Sequence, residues 1–232
     1  MPRTIKEPAA RRNDILDVAQ RLVYSIGYEQ MTIQDILDEL KISKGAFYHY
    51  FSSKDALLEA LILRIGDQVE QIIIAIVEDP NLPAIDKFQR YFDSAVQWKS
   101  ARKTLLMALL RVWYIDGNAL LRQKVMAEGA RRVLPMLTQI VHQGLREGIF
   151  SNPYPDQVGE VIFTLMMGLS ESISRILLNL TPDPDPFRLA TDLLASYTYT
   201  IELVLGAPPG SFILMEPNQV KEWLAFSAEP VS

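Results

Sequence analysis

The sequence predicts an all-α protein, with a three-helix N-terminal domain over residues 1–55 and a larger helical domain over residues 56–232. Apolar residues recur at three- and four-residue spacing through most of the chain, the period of helices with a buried face. Breaks rich in glycine, proline and asparagine separate these stretches, at Gly27, Asp79-Pro80, residues 116–118, 152–155, 181–186 and 208–210. At 232 residues the chain is long enough to bury a sizeable core in more than one domain.

Residues 8–26 form the first helix, with Ile15, Ala19, Leu22, Val23 and Ile26 on one face and Gly27 as its stop. Thr32 followed by Asp35 marks the start of the second, with Ile33, Ile36, Leu37 and Leu40 on its apolar stripe. Lys41-Ile42 leaves room only for a sharp corner before Ser43, which can cap a third helix carrying Lys44, Gly45 and Ala46 in its first turn. Phe47 and Phe51 anchor that helix, and Tyr48 and His49 point elsewhere. Ser53 caps a long fourth helix running to Asp79-Pro80. Further helices pass through Tyr91–Trp98, through residues 105–114, through 118–147 with a kink expected at Pro135, then near 156–180 and 187–206, with a last short one at 218–226.

Two short helices joined by a tight turn form a helix-turn-helix, a device for placing one helix in a DNA groove. Glycine in a helical first turn lowers helix stability by about 1 kcal/mol against alanine, which makes sense where another surface must approach the backbone closely. Lys54 beside a positive helix N-terminus calls for a nearby anion, and a DNA phosphate would be one.

The stretch from Ser43 to Leu57, SKGAFYHYFSSKDAL, closely resembles the DNA-binding motif of TetR-family (tetracycline-repressor-like) transcription regulators. Ile15-Leu16-Asp17-Val18-Ala19 and Gly27-Tyr28 fit that family's first helix and the turn after it, and Arg146-Glu147-Gly148-Ile149-Phe150 is a weaker matching signature. The resemblance implies a homodimer that binds double-stranded DNA at an inverted repeat and responds to a small-molecule effector. In that reading Lys44, Gly45, Ala46 and His49 meet base edges. Thr32, Ser43, Tyr48, Ser53 and Lys54 hold phosphates, and the basic arm of residues 3–12 adds backbone or minor-groove contacts.

Charge tempers this reading. The whole chain carries −5, residues 1–12 carry +3, and residues 1–55 balance to zero, so phosphate contacts per subunit are few and binding should depend on dimerisation and salt. There is no cysteine, which excludes disulfide and thiolate chemistry. No uninterrupted apolar run reaches the length of a membrane span and no signal-like segment opens the chain, so a cytoplasmic protein is expected.

The two last long helices each carry apolar residues on more than one face. The resemblance implies that they pair across a two-fold axis, through Ile162, Leu169, Ile173 and Ile176 of one and Leu194, Tyr197 and Ile201 of the other. Tyr91, Trp98, Met107, Trp113, Tyr114, His142, Phe163, Met167 and Glu171 are the candidates for an effector cavity, whose methionines suit a lipophilic ligand. Each of these is also explicable as ordinary core. Two histidines and no glycine-rich phosphate loop leave little from which to build a catalytic centre, and no metal site or cofactor is expected. The competing reading is an all-helical interaction or small-molecule-binding module without specific DNA binding.

Overall fold

The computed structural model describes residues 8–114 and 118–228. Among these it has ten helices and no strand: α1 (Pro8–Ile26), α2 (Ile33–Leu40), α3 (Lys44–Tyr48), α4 (Lys54–Glu78), α5 (Ala84–Ser100), α6 (Lys103–Trp113), α7 (Ala119–Arg146), α8 (Pro155–Leu177), α9 (Pro186–Leu205) and α10 (Pro217–Ala228). Arg3 and Lys6 of the basic arm, and Asp116 and Gly117 of the expected break, lie outside the described residues.

The chain divides into two compact units. The first takes the chain up to Asp67 together with Thr104–Val125, and the second takes Gln68–Lys103 and the chain from Met126 onward. The division at residue 55 read from the sequence follows the motif, whereas packing carries the first unit farther along α4 and adds α6. Leu105, Leu109 and Val112 of α6 join the same apolar cluster as Ile15, Leu16, Ile36, Phe47 and Leu57, a long-range partnership that no local pattern announces.

On α1 the buried face is Ile15, Leu16, Val18, Ala19 and Val23. Ile26, expected on that face, is 46% exposed because the helix ends there and Gly27 turns the chain at φ 82°.

The second unit buries Phe88, Leu137, Ile140, Ile162, Ile201 and Leu205 around an aromatic cluster. In it the Phe212 ring stacks on both Phe88 and Phe92 at 5.7 Å. Pro135, where a kink is expected, lies inside α7. α8 stops at Leu177, short of the expected 180, because Asn179 turns left-handed at φ 54° and the Leu180 N–H closes back on the Arg175 carbonyl at 2.8 Å. α9 ends in the same way at Gly206, φ 62°, where an added Cβ would lie 2.0 Å from the Ser151 carbonyl oxygen. The neighbouring Ser151 N–H donates to the Leu205 carbonyl at 2.9 Å, which satisfies a helix-end acceptor from outside the helix.

Candidate nucleic-acid interface

Three local caps build the helix-turn-helix. Thr32 opens α2 with a reciprocal capping box: its hydroxyl accepts from the Asp35 N–H at 3.2 Å, and the Asp35 carboxylate accepts from the Thr32 N–H at 2.8 Å. The Thr32 N–H, and after it the Thr32 hydroxyl, which also donates to this carboxylate at 2.8 Å, hold the Asp35 carboxyl below the usual carboxylate range. Lys41 closes α2 in the left-handed region at φ 51°, the sharp corner expected of a two-residue connection. Ser43 then caps α3 through the Ala46 N–H at 3.2 Å, and Ser53 caps α4 through the Ala56 N–H at 3.0 Å.

α3 spans only five residues, too few to persist in isolation, so its placement comes from tertiary anchors. Phe47 is fully buried and Phe51 nearly so, with ring centroids 5.9 Å apart. The opposite face carries Ser43, Lys44, Gly45, Tyr48 and His49, all exposed, with Ala46 at its edge. Tyr48 stands edge-on to Phe47, with the Lys44 ammonium 5.9 Å from its ring, and the His49 ring meets Tyr50 at 4.9 Å. A Cβ added at Gly45 would meet nothing nearer than the Ser43 hydroxyl at 4.0 Å. The protein's own packing does not demand glycine there.

Four cations of this unit pair with carboxylates within it. Arg21 bonds to Glu39, Arg64 to Asp17 at 2.6 Å, Lys124 to Glu59 at 3.1 Å, and Arg11 to Asp14 at 3.6 Å. Arg12 lies over the Phe51 ring. Lys54 differs from expectation: its ammonium, thought to require an outside anion, already donates to the Glu29 carbonyl at 3.2 Å and rests 4.4 Å from the Tyr28 ring centre. Burial lowers the Lys54 pKa, opposed by the Asp55, Glu29 and Asp35 charges. Tyr28 thus carries this lysine, a role the sequence does not announce, since a tyrosine directly after a glycine gives no sign of what it will touch.

The expected effector residues are divided between the two units. Met107, Trp113 and Tyr114 belong to the first unit, and Tyr91, Trp98, His142, Phe163, Met167 and Glu171 to the second. Tyr91 is buried in the second unit's core, Trp98 and Met107 are buried as well, and Glu171 is exposed. His142 pairs at the surface with Asp156 at 2.9 Å, joining α7 to α8. Among the residues expected at a dimer interface, Ile162, Ile176, Leu194 and Ile201 are buried in the chain's own core and leave little or no surface for a second copy. Leu169, Ile173 and Tyr197 keep partial exposure. The open apolar side chains of these helices are Val161 on α8 and Tyr199 and Leu203 on α9. A pattern with apolar residues on two faces could not tell which face turns inward.

A short capped helix, pinned from below and bare on its outer side, defines a helix-turn-helix regulator. Two family models match the chain: bacterial regulatory proteins of the tetR family over residues 15–61, and a tetracyclin repressor-like C-terminal domain over residues 113–172. The transcriptional repressor NemR of Escherichia coli is 25% identical over 170 residues, 71% of this chain and 85% of that protein. The transcriptional repressor Rv1474c of Mycobacterium tuberculosis is 40% identical over 85 residues, 34% of this chain and 45% of that protein. A solved TetR-family regulator from Pectobacterium atrosepticum shares the fold at a TM-score of 0.65 and 16% identity, over 88% of this chain and all of that one. The chain carries a DNA-binding domain of the tetR family and a tetracyclin repressor-like C-terminal domain, the two parts of a DNA-binding transcription regulator. Among the described residues no helix is long and apolar enough to cross a membrane.

Proposed function

We propose that this protein is a homodimeric repressor that binds an inverted-repeat operator and releases it on taking up a small, apolar effector. The observation that carries the reading is the outer face of α3, where Lys44, Gly45, Tyr48 and His49 are exposed and the space above Gly45 is open. Lys44, Gly45, Ala46 and His49 would meet base edges, while Thr32, Ser43, Tyr48, Ser53 and Lys54 would lie along phosphates. The Thr32, Ser43 and Ser53 hydroxyls already serve as caps, so at these positions the backbone N–H groups of the helix starts would share the anion.

Val161, Tyr199 and Leu203 support pairing of α8 and α9 with a second copy, since Tyr199 and Leu203 stand four apart on one exposed face of α9. The effector would be taken up by the second unit, where Phe163 and Met167 of α8 are half-buried. With no cysteine in the chain, effector sensing cannot use a thiol–disulfide couple.

Selection from a random duplex pool with the purified protein tests the reading. Enrichment of an inverted repeat, its half-sites about one helical turn or somewhat more apart, is the expected result. No enrichment at low salt would overturn it in favour of a helical interaction module.

A further inference from the structure

In the first unit, Lys54 is held differently from the cations that pair with carboxylates. Arg21, Arg64, Lys124 and Arg11 each face a carboxylate, which neutralises their charge. The Lys54 ammonium is held by two neutral groups, the Glu29 carbonyl at 3.2 Å and the Tyr28 ring face at 4.4 Å. Neutral holders fix where the ammonium sits; the Asp55, Glu29 and Asp35 carboxylates act on its charge from farther off. An ammonium has three N–H donors, and the Glu29 carbonyl takes one.

Tyr28 is itself immobilised. It is 8% exposed within the core cluster, and its hydroxyl donates to the Asp55 carboxylate at 3.3 Å. Burial and the Asp55 charge push the phenol pKa up, so it remains a donor at every working pH. The ring is therefore fixed by contacts that do not involve Lys54, and the lysine stem, with its four rotatable carbons, is arrested against it.

We propose that Tyr28 is a positioning residue for DNA binding: its ring, with the Glu29 carbonyl, fixes the Lys54 ammonium where a backbone phosphate of duplex DNA is met. The inference rests on Lys54 being a phosphate contact. A phosphodiester fits the arrangement because it needs a point charge and one or two donors and carries no sequence information. Holding the lysine before DNA arrives spares the ordering of a flexible side chain on binding.

The test compares near-isosteric rings at position 28 of the full-length protein, so that folding is preserved. Tyr28→Phe keeps the electron-rich ring face, and pentafluorophenylalanine at the same position keeps the shape but makes the face electron-poor. Affinity for a labelled duplex carrying the selected inverted repeat is measured across a salt series, with thermal melting to establish that each variant is folded. Tyr28→Phe should bind within about twofold of the parent, and the fluorinated ring about fivefold more weakly. Lys54→Met should weaken binding to operator and unrelated duplex alike and flatten the salt dependence by about 0.9 per subunit. In a Lys54→Met background the two rings should bind equally well, a non-additivity that a merely structural tyrosine would not produce. If Lys54→Met changes neither affinity nor salt dependence, Lys54 is not a phosphate contact and the proposal falls with that assignment. If Lys54→Met weakens binding and the two rings remain equivalent in the parent, the Lys54 assignment stands and Tyr28 is not its positioning residue.

Discussion

The helix-turn-helix and the second unit differ in the reach of the polar bonds that shape them. In the first, the polar bonds that shape the helix-turn-helix are local: Thr32 with Asp35, Ser43 with Ala46, and Ser53 with Ala56, each three residues apart. In the second, the corresponding bonds span long stretches of chain. Glu147 accepts from the Ala84 N–H at the start of α5, at 2.8 Å. Gln89 grips the Ile213 backbone from both sides, accepting from its N–H at 2.8 Å and donating to its carbonyl at 3.1 Å. The Trp223 indole donates to the Ser100 hydroxyl at 3.2 Å, and the Asn152 amide reaches the Val204 carbonyl at 2.6 Å. Local caps start the helices of the reading head, whose placement then depends on Phe47, Phe51 and the packing of α6, whereas the second unit has its ends tied directly by distant polar bonds.

The largest expected effect lies in the second unit. Gly206→Ala adds a Cβ at a left-handed residue and drives it to 2.0 Å from the Ser151 carbonyl oxygen. A loss of more than about 3 kcal/mol in urea unfolding is expected, from backbone strain and the clash together. A loss below 1 kcal/mol would show that the loop after α7 yields easily and that the distant closure is weak. Next come paired deletions, one in each unit. Thr32→Ala removes a local cap and should lower stability by about 1 kcal/mol. Gln89→Ala removes both bonds to Ile213 and should lower it by about 1–2 kcal/mol. Hydrogen exchange sharpens the comparison: faster exchange confined to α2 for Thr32→Ala, and spread through residues 207–228 for Gln89→Ala. The reverse distribution would break the contrast.

The smallest expected effect is a dependence on acid. Asp35 in the first unit and Glu147 in the second both have pKa values below the ordinary carboxylate range, Asp35 through the Thr32 N–H and Glu147 through the Ala84 N–H. A carboxylate whose pKa is lowered by folding stabilises the protein above its unfolded pKa, and that contribution fades as pH falls through the folded value. Both units should therefore weaken below about pH 4. Asp35→Asn should blunt this dependence in α2 alone and Glu147→Gln in the second unit alone, as read by amide exchange between neutral and acid pH.

The same contrast explains what the sequence could reveal. The helices were legible because their starts and stops are written within a few residues, as in the Thr32 and Ser43 caps and the turn at Gly27. Phe47 and Phe51 were readable as anchors because four-residue spacing on a short helix admits few other uses. What the sequence withheld depended on partners far along the chain. Ile162 and Ile201 face the core rather than open surface because α8 and α9 turn those sides inward, a rotation that their all-round apolar composition does not encode. Placing α6 with the first unit needed the contact between Leu105 and the N-terminal cluster. Lys54 was marked by its unfavourable place at a helix N-terminus, but the ring that carries it lies 26 residues upstream.

The five-residue α3 has one further consequence, for how such a protein can change. Its hold on the body of the molecule passes through Phe47, with Phe51 just beyond it, while Lys44, Gly45, Tyr48 and His49 stay on the outer side, Tyr48 touching Phe47 edge-on and His49 meeting Tyr50. Under the proposed function, substitutions at Lys44, Gly45 and His49 would alter the lettering presented to DNA while leaving Phe47 and the core beneath it in place. New operators can thus be acquired one residue at a time, without passing through an unfolded ancestor, and a designer retargeting this regulator has the same freedom.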